Sequence, residues 1–325
     1  MRSGPGTLTQ FAHGIYAVDT LYVRPRLDAS HLIVQGGRVA FVDTGPASAV
    51  PLLLSALQRL DLDVGQVDYV LLTHVHLDHA GGAGALMQAL PNARAVVHPR
   101  GARHLADPSK LIAGSIAVYG EENFRRLYGE IVPIPENRLS LAEDGQVVSL
   151  AGRELELIHT PGHALHHYCV VDRVAHAVFT GDNFGLSYRD FDTRRGAFIF
   201  PTTTPVQFDP EAMHASIDRI MSYRPRAIYL THFSEVTELE RLARDLHECI
   251  DAFVDIARRN DGRADRGGRI RTEMFDYLSQ RLDAHGYEGS EALRRELLWT
   301  DVELNSQGLE VWLDRQKQAA AQNTH

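Results

Sequence analysis

The 325-residue sequence predicts a layered α/β protein, and three features of the chain support this. Short runs rich in β-branched and aromatic residues alternate with runs of helical periodicity through the first two thirds of the chain. One of the strand-like runs, VDYVLLT, is continuously apolar, as in strands that are buried on both faces. From about Ser234 the pattern is helical almost to the end, apart from a polar interruption at RRNDGRADRGGR. Alternation of this kind is typical of sheets layered with helices.

The elements are predicted in the following order. The first strands lie in FAHGIYAVDTL, SHLIVQ and RVAFVDTG, and a helix follows in AVPLLLSALQRL. The strand VDYVLLT, the helix GGAGALMQAL and the strand ARAVVH come next. Residues from about 99 to 128 are predicted as a mainly helical insertion that could cover a site. The last strands are QVVSL, RELELIHT, YCVVD and HAVFTGD, followed by the helix EAMHASIDRIMSY and the strand RAIYLTH.

The composition excludes several classes of protein. A hydrophobic content of 44% is sufficient for a sizeable core, and a net charge of -9 disfavours a protein that neutralises nucleic-acid phosphates. There is no uncharged apolar run of about 18 residues and no signal-like start, so we expect a cytoplasmic protein without a membrane partner. Cys169 and Cys249 show no CxxC spacing, which argues against a disulfide framework, a redox pair or a thiolate zinc site.

The stretch THVHLDHAGG contains an unusual concentration of metal-binding side chains. Residues two apart on an extended segment point the same way, so His74 and His76 can chelate one ion. Asp78 and His79 lie beyond a turn, where they can face a second ion. Because burying three imidazoles beside a carboxylate without a metal would leave several polar groups to satisfy, the cluster predicts metal binding.

Two further histidines and an aspartate complete the predicted set. Like His74, the residues His163, Asp182 and His232 lie at or just beyond the ends of predicted strands. In layered α/β proteins ligand sites gather beyond the carboxyl ends of strands, so these groups are expected to converge. His163 and His232 would add one imidazole to each ion and Asp182 would bridge the ions, which leaves coordination positions for water. Nine other histidines are expected to be hydrogen-bonded core or loop residues, namely His13, His31, His98, His104, His159, His166, His176, His214 and His247.

The motifs THVHLDHAGG, HTPGHALHH, FTGD and YLTH, in this order, resemble those of the metallo-β-lactamase fold superfamily, with the segment HPRGARHLADPSKL similar to a branch akin to glyoxalase II. The resemblance covers about residues 11 to 235. It implies an αββα sandwich of two mixed β-sheets flanked by helices. It further implies a catalytic domain at 1–235 and a helical C-terminal region at 236–325 that packs on or caps the site.

The resemblance also implies roles for individual residues. His74, His76 and His163 would hold the first ion, and Asp78, His79 and His232 the second, with Asp182 as the bridge. Two divalent ions are expected, zinc first, with iron or manganese as alternatives. Asp43 and His167 would support the ligands through hydrogen bonds rather than bind an ion.

The chemistry implied is hydrolysis of an ester, thioester or lactone carbonyl of a small molecule by a metal-bridging hydroxide. Asp78 would also carry a proton to the leaving group. Tyr188, six residues after Asp182, is either an aid to the leaving group or a core tyrosine. The apolar helical tail permits a homodimer.

Three other functions are compatible with this fold. A persulfide dioxygenase would use a single iron and lack part of the second ligand set, whereas Asp78, His79 and His232 are all present. A nuclease or phosphodiesterase would need a phosphate-binding surface, for which the six arginines of the 258–271 segment are a weak candidate. A non-catalytic metal-binding member would usually have lost ligands.

Overall fold

A computed structural model describes residues 7–204 and 206–322. The chain forms two compact units. The first extends to His159 and includes His166–Gly181 and Arg224–Thr237; the second comprises Thr160–Leu165, Asp182–Tyr223 and the residues from Glu238 onward. The boundary at 235/236 remains a prediction.

The first unit contains a seven-stranded sheet whose spatial order follows the chain order. Its strands are β1 (Leu8–Gln10), β2 (Ile15–Asp19), β3 (Ala29–Gln35), β4 (Arg38–Val42), β5 (Val67–Leu72), β6 (Arg94–Val97) and β7 (Leu139–Leu141). The strands from β1 to β4 pair antiparallel, and those from β4 to β7 pair parallel. The carboxyl ends of β4 and β5 therefore lie at the same edge.

The second sheet, in the same unit, has six strands in the order β13-β12-β11-β10-β9-β8. They are β8 (Gln146–Leu150), β9 (Arg153–His159), β10 (Tyr168–Asp172), β11 (Ala177–Gly181), β12 (Ala227–Leu230) and β13 (Ser234–Val236). Only β11 and β12 pair parallel, so β9, β11 and β12 run in one direction and end at one edge. The sequence pattern placed helix from about Ser234, whereas residues 234–236 form an edge strand because they pair with β12.

Six helices belong to the first unit. They are α1 (Val50–Arg59), α2 (Leu77–Ala80), α3 (Ala83–Ala89), α4 (Pro99–Ala106), α5 (Ser109–Tyr119) and α6 (Glu121–Tyr128). Helices α4 to α6 form the predicted insertion. Every predicted helix in this part of the chain is present.

The core of the first unit has two layers. Leu32 and Val70 pack with Leu53 of α1 and Leu86 of α3 on one face of the first sheet. Their neighbours in sequence point the other way, and among these Ile33 packs between the two sheets. Two mixed sheets with their helices, together with a helical C-terminal region, confirm the predicted fold class.

His31 is one of the histidines predicted to lie in the core or in a loop. It is buried and packs edge-on against Phe179 and Tyr229, with ring centroids 5.5 Å away in each case. Its Nε2 lies 3.2 Å from Ser234 Oγ. Burial lowers the pKa of His31 to about 3.

His31 is therefore expected to make stability depend on pH. In the unfolded chain the imidazole binds a proton below about pH 6.5, whereas the folded protein excludes that proton until about pH 3. The free energy of unfolding should thus fall by up to about 1.4 kcal/mol per pH unit as the pH decreases from 6.5 to 4. Denaturant unfolding of a His31→Gln variant should show a shallower dependence over this range, and an equal slope in both proteins would contradict the assignment.

The second unit contains four long helices. They are α7 (Pro210–Ser222), α8 (Leu239–Asn260), α9 (Arg266–His285) and α10 (Glu291–Gln322). The predicted polar interruption shrinks to residues 261–265, since α8 and α9 extend into it. No helix within the described ranges is long and apolar enough to cross a membrane.

The arginine-rich segment 258–271 is mostly helical and pairs with acidic residues of the same unit. Arg259 Nε lies 2.5 Å from Glu273 Oε2, and Arg266 contacts Glu310 at 3.2 Å and Asp314 at 2.9 Å. Arg259 and Arg266 of this segment are thus engaged by carboxylates of α9 and α10.

Candidate metal centre

The carboxylate of Asp43 joins the ends of three strands of the first unit. Asp43 follows β4, and its Oδ1 accepts a hydrogen bond of 2.8 Å from the backbone N–H of Thr73, which follows β5. Its Oδ2 accepts from Thr231 Oγ1 at 2.9 Å, after β12, and lies 2.8 Å from His79 Nδ1. The buried carboxylate therefore fixes both the backbone leading into the histidine motif and one imidazole within it.

Asp78, His79 and His232 come together in this unit, with ligand atoms all within 4.8 Å of one another. Asp78 Oδ2 lies 3.7 Å from His79 Nε2 and 3.5 Å from His232 Nε2. Bonds of about 2.0–2.1 Å in a tetrahedral site would separate ligand atoms by roughly 3.3 Å. The three groups thus fit a single divalent ion with little movement.

The two imidazoles of this group are oriented through their other ring nitrogen. His79 Nδ1 faces Asp43, while His232 Nδ1 lies 2.8 Å from the Leu27 carbonyl oxygen. Each acceptor favours a proton on Nδ1 and leaves Nε2 as the nitrogen that can bind an ion. This orientation of metal-binding histidines is common in metalloproteins.

His74 and His76 form the other half of the motif. His74 Nε2 lies 2.9 Å from His76 Nδ1, and His74 Nδ1 lies 3.2 Å from Thr73 Oγ1. The two facing nitrogens can share a proton or a metal ion. The His167 ring, with its centroid 5.1 Å from that of His74, is buried beside this pair.

His166 is closer to the motif than the sequence indicated. Its ring centroid lies 5.7 Å from that of His76 and 6.2 Å from that of His74. Burial, and after it the imidazole of His76, lowers the pKa of His166 to about 3, so its imidazole is neutral near pH 7. Its place in HTPGHALHH, three residues after His163, was the only available sequence signal.

His163 and Asp182 lie in the second unit, where an imidazole again faces a carboxylate through Nε2 and a backbone carbonyl oxygen through Nδ1. His163 Nε2 is 3.5 Å from Asp182 Oδ2, and its Nδ1 is 3.4 Å from the Thr202 carbonyl oxygen. The backbone N–H of His163 donates to Asn183 Oδ1 at 3.0 Å. Both side chains are buried.

A glycine precedes each of these two residues, and neither position would accept a larger side chain. Gly162 has a φ of +141°, and a Cβ there would lie 2.5 Å from Met213 Cα. A Cβ on Gly181 would lie 2.6 Å from Thr73 Oγ1 and 2.7 Å from His167 Nε2. Glycine permits both the backbone conformation and the close approach.

Replacement of Asp43 by asparagine is expected to lower metal affinity about 10–100-fold, the usual effect of removing a partner of a metal-binding histidine. Both carboxylate oxygens of Asp43 accept hydrogen bonds, so the NH₂ group of an asparagine would face a donor in either orientation of the side chain. Metal content after dialysis against a weak chelator measures the effect. The matched control is Thr231→Val, which removes one donor to Asp43 but keeps the His79 contact and should change affinity less. Equal affinities in wild type and Asp43→Asn would contradict the role.

Tyr188 lies in the second unit, where its buried hydroxyl donates to the Asp301 carboxylate at 3.0 and 3.2 Å. This contact favours the core interpretation of Tyr188 over a role at the leaving group.

The helical insertion, which the sequence predicted could cover a site, places an apolar wall of Leu77, Phe124 and Tyr128 beside the histidine motif. Leu77 packs against Phe124 and Tyr128 of α6. The hydroxyl groups of Tyr22 and Tyr128 lie 3.0 Å apart. Burial, and after it the negative charge of Asp78, raises the pKa of Tyr22, so both hydroxyls remain protonated beside the motif.

The family of the chain follows from comparison with known proteins. ST1585 of Sulfurisphaera tokodaii, a metallo-beta-lactamase fold-containing protein, is 29% identical over 171 residues, which are 51% of this chain and 60% of that protein. A hydroxyacylglutathione hydrolase of Aeromonas hydrophila is 30% identical over 55% of this chain and 50% of its own length. An atrochrysone carboxyl ACP thioesterase of Aspergillus fumigatus is 26% identical over 67% of this chain and 58% of its own length. The matched regions thus span less than two thirds of these relatives.

Solved structures show the same fold. The crystal structure of ST1585, whose source is given as Sulfolobus tokodaii, aligns with a TM-score of 0.62 at 21% identity. The alignment covers 92% of this chain and 99% of that one. TTHA1429 from Thermus thermophilus, a metallo-beta-lactamase family protein, aligns with a TM-score of 0.63 at 20% identity, covering 94% of both chains. The family model described as Metallo-beta-lactamase superfamily matches residues 24–232, well over half of the chain. The chain therefore belongs to the metallo-beta-lactamase superfamily.

Proposed function

We propose that this protein is a metal-dependent hydrolase that cleaves an ester, thioester or lactone carbonyl in a small molecule. The observation that carries the proposal is the group of Asp78, His79 and His232. The Nε2 atoms of His79 and His232 both face the Asp78 carboxylate. Asp43 holds the His79 ring in this orientation through its Nδ1, and the Leu27 carbonyl oxygen does the same for His232. Such an arrangement has the donor set and the supporting contacts of a catalytic metal site.

By the order of the motifs, His74, His76 and His163 would hold one divalent ion and Asp78, His79 and His232 another, and Asp182 would serve as their common ligand. Zinc is the first expectation, because mixed imidazole and carboxylate sites suit it, and iron and manganese are the alternatives. When bound, such ions supply a Lewis acid and lower the pKa of coordinated water.

The residues of the chain have separate tasks in this mechanism. Asp78 has a side chain that is 24% exposed, so its carboxylate can receive a proton and pass it to a leaving group. The buried Asp43 keeps the ring proton of His79 on Nδ1 throughout the reaction. Leu77 and the α6 side chains that it contacts reduce the access of water on one side of the motif.

Thioesters are the first substrate class to test. Two relatives carry the names hydroxyacylglutathione hydrolase and carboxyl ACP thioesterase, and both names describe thioester cleavage. The main alternative is a mononuclear-iron dioxygenase acting on persulfides. The joint presence of Asp78, His79 and His232 around one point favours two ions over one.

The test is to purify the protein without chelator, count its metals by elemental analysis and screen thioesters, lactones, phosphodiesters and a persulfide with oxygen uptake. About two metals per chain with turnover of a carbonyl ester would support the proposal. One iron per chain with oxygen consumption would replace it with the dioxygenase. A metal-replete protein that is inert towards every substrate would support a binding role.

The apolar wall should make the rate depend on the length of an acyl substrate. Leu77, Phe124 and Tyr128 are themselves buried, so an acyl chain would pack on partly buried members of the same cluster such as Ile112 and Ile116. Each methylene group buried there is worth about 0.8 kcal/mol, so kcat/KM should increase about fourfold per added CH₂ until this apolar surface is covered. Ile116 of α5 packs against this cluster, and Ile116→Ser should flatten the dependence. The matched control is Val174→Ser, which changes an apolar side chain that is 50% exposed on the turn between β10 and β11. The same chain-length profile in all three proteins would exclude this role for the wall.

A further inference from the structure

Two helices of the second unit each carry a histidine and an aspartate four residues apart. His214 and Asp218 lie on α7, and His247 and Asp251 lie on α8. Residues four apart share one face of a helix, so each pair forms a single polar patch. None of these four residues belongs to the candidate metal centre.

The two patches meet through their imidazoles. His214 Nδ1 lies 2.6 Å from His247 Nδ1, and the ring planes differ by only 10°. The centroid separation of 4.9 Å is close to the nitrogen separation plus the two ring radii, so the rings lie edge to edge rather than stacked. The lone-pair directions of the two Nδ1 atoms therefore point at each other.

Each outer ring nitrogen faces a carboxylate of the opposite helix. His214 Nε2 lies 3.2 Å from Asp251 Oδ1, and His247 Nε2 lies 3.3 Å from Asp218 Oδ1. A carboxylate accepts a hydrogen bond from an imidazole N–H, so both contacts favour the tautomer with the proton on Nε2. In that tautomer both Nδ1 atoms are acceptors.

One further proton or a metal ion is needed to satisfy this arrangement. The row from Asp251 through His214 and His247 to Asp218 has three contacts, and each requires a proton or an ion between its atoms. Two neutral imidazoles carry only two ring protons. With both of these directed at the carboxylates, the two Nδ1 lone pairs would repel each other across 2.6 Å.

We propose that His214 and His247 bind a divalent transition-metal ion of the zinc class through their Nδ1 atoms. Asp251 and Asp218 hold the Nε2 protons, which is the carboxylate–histidine–metal arrangement on both sides of one ion. Tetrahedral bonds of about 2.0–2.1 Å would place the two nitrogens roughly 3.3 Å apart, so the pair opens by roughly 0.7 Å and both rings turn until their lone pairs converge on the ion. Water completes the coordination.

The position of the four side chains suits an ion that enters from solvent. The imidazoles are 27% and 29% exposed, and the carboxylates are 77% and 74% exposed. The two carboxylates offset the charge of a divalent ion. Because one imidazole comes from α7 and the other from α8, the bound ion joins these helices and has a structural role.

The experiment counts metal in the full-length protein. Wild type and a His214→Gln/His247→Gln double variant are incubated with excess Zn²⁺, dialysed into chelator-free buffer and assayed by elemental analysis. The double variant should hold one zinc fewer per chain, with circular dichroism confirming that it is folded. The matched control is His176→Asn, which removes an exposed histidine from a turn, with asparagine tolerated at its positive φ, and should retain the wild-type count.

Affinity provides the second readout. In competition with a chromophoric chelator, Asp218→Asn and Asp251→Asn should each weaken this zinc about 10–100-fold without removing a ligand nitrogen. Bound zinc should also raise the melting temperature of wild type more than that of the double variant. Equal zinc counts in wild type and a folded double variant would overturn the proposal, and so would aspartate variants that bind zinc as tightly as wild type.

Discussion

Replacement of His76 by alanine is expected to lower kcat/KM for the hydrolysed substrate by about a thousandfold. His76 Nδ1 lies 2.9 Å from His74 Nε2, so the variant removes one of two adjacent imidazoles assigned to the same ion. An ion that polarises a carbonyl contributes several kcal/mol to transition-state stabilisation, and each 1.4 kcal/mol corresponds to a tenfold change in rate. Steady-state kinetics and metal analysis of the same preparation measure both consequences.

The His76 side chain is only partly buried, so its removal should leave the fold intact. The matched control is His176→Asn, which removes an exposed histidine from a turn and should retain both activity and metal content. A folded His76→Ala protein with the wild-type rate and metal content would contradict the ligand assignment. Loss of metal without loss of rate would contradict the metal-dependent mechanism instead.

Replacement of Arg153 by alanine is expected to lower the free energy of unfolding by about 3–5 kcal/mol. Arg153 is 2% exposed and forms a bidentate pair with Asp172, which is fully buried between residues of the second sheet. Its Nη1 also donates to the His13 carbonyl oxygen at 2.6 Å. Without the guanidinium, the Asp172 carboxylate stays buried with only backbone donors, and this accounts for most of the expected loss.

Arg173, the residue that follows Asp172, belongs to a salt bridge that can serve as a control. Arg173 and Glu156 form a salt bridge at 2.6 Å in which the arginine side chain is 63% exposed. Arg173→Ala should cost less than about 1 kcal/mol because solvent screens this pair. Denaturant unfolding of both variants gives the comparison. Similar losses in the two variants would show that burial does not determine the strength of the Arg153 pair.

Much of the fold could be predicted because the periodicity of a segment reflects its burial. The run VDYVLLT became β5 (Val67–Leu72), and the insertion became α4 to α6. The errors occurred where pairing or packing overrides local preference. Residues 234–236 form a strand because β12 is beside them, and the arginine-rich segment is mostly helical, with Arg259 and Arg266 paired to acidic residues of α9 and α10.

The candidate site was predictable to a different extent. The motif HVHLDH identifies donors within six residues, since ligand type and spacing are local properties of the chain. The supporting contacts are not local. Asp43 and Thr231 are 188 residues apart, and no spacing rule relates them. The insertion was predicted to be able to cover a site, but the packing of Tyr128 against Leu77 was not predicted, for the same reason.

The sequence by itself determined which side chains can bind metal, which strand each one follows and which superfamily the chain resembles. The tertiary structure decided how the imidazoles are oriented, because the acceptors for His79 and His232 Nδ1 come from distant segments. It also brought His214 against His247, two histidines that the pattern classed with ordinary core residues. The physical reason is that donor chemistry belongs to the individual residue, whereas a distance of a few ångströms between remote residues exists only after strands and helices have packed.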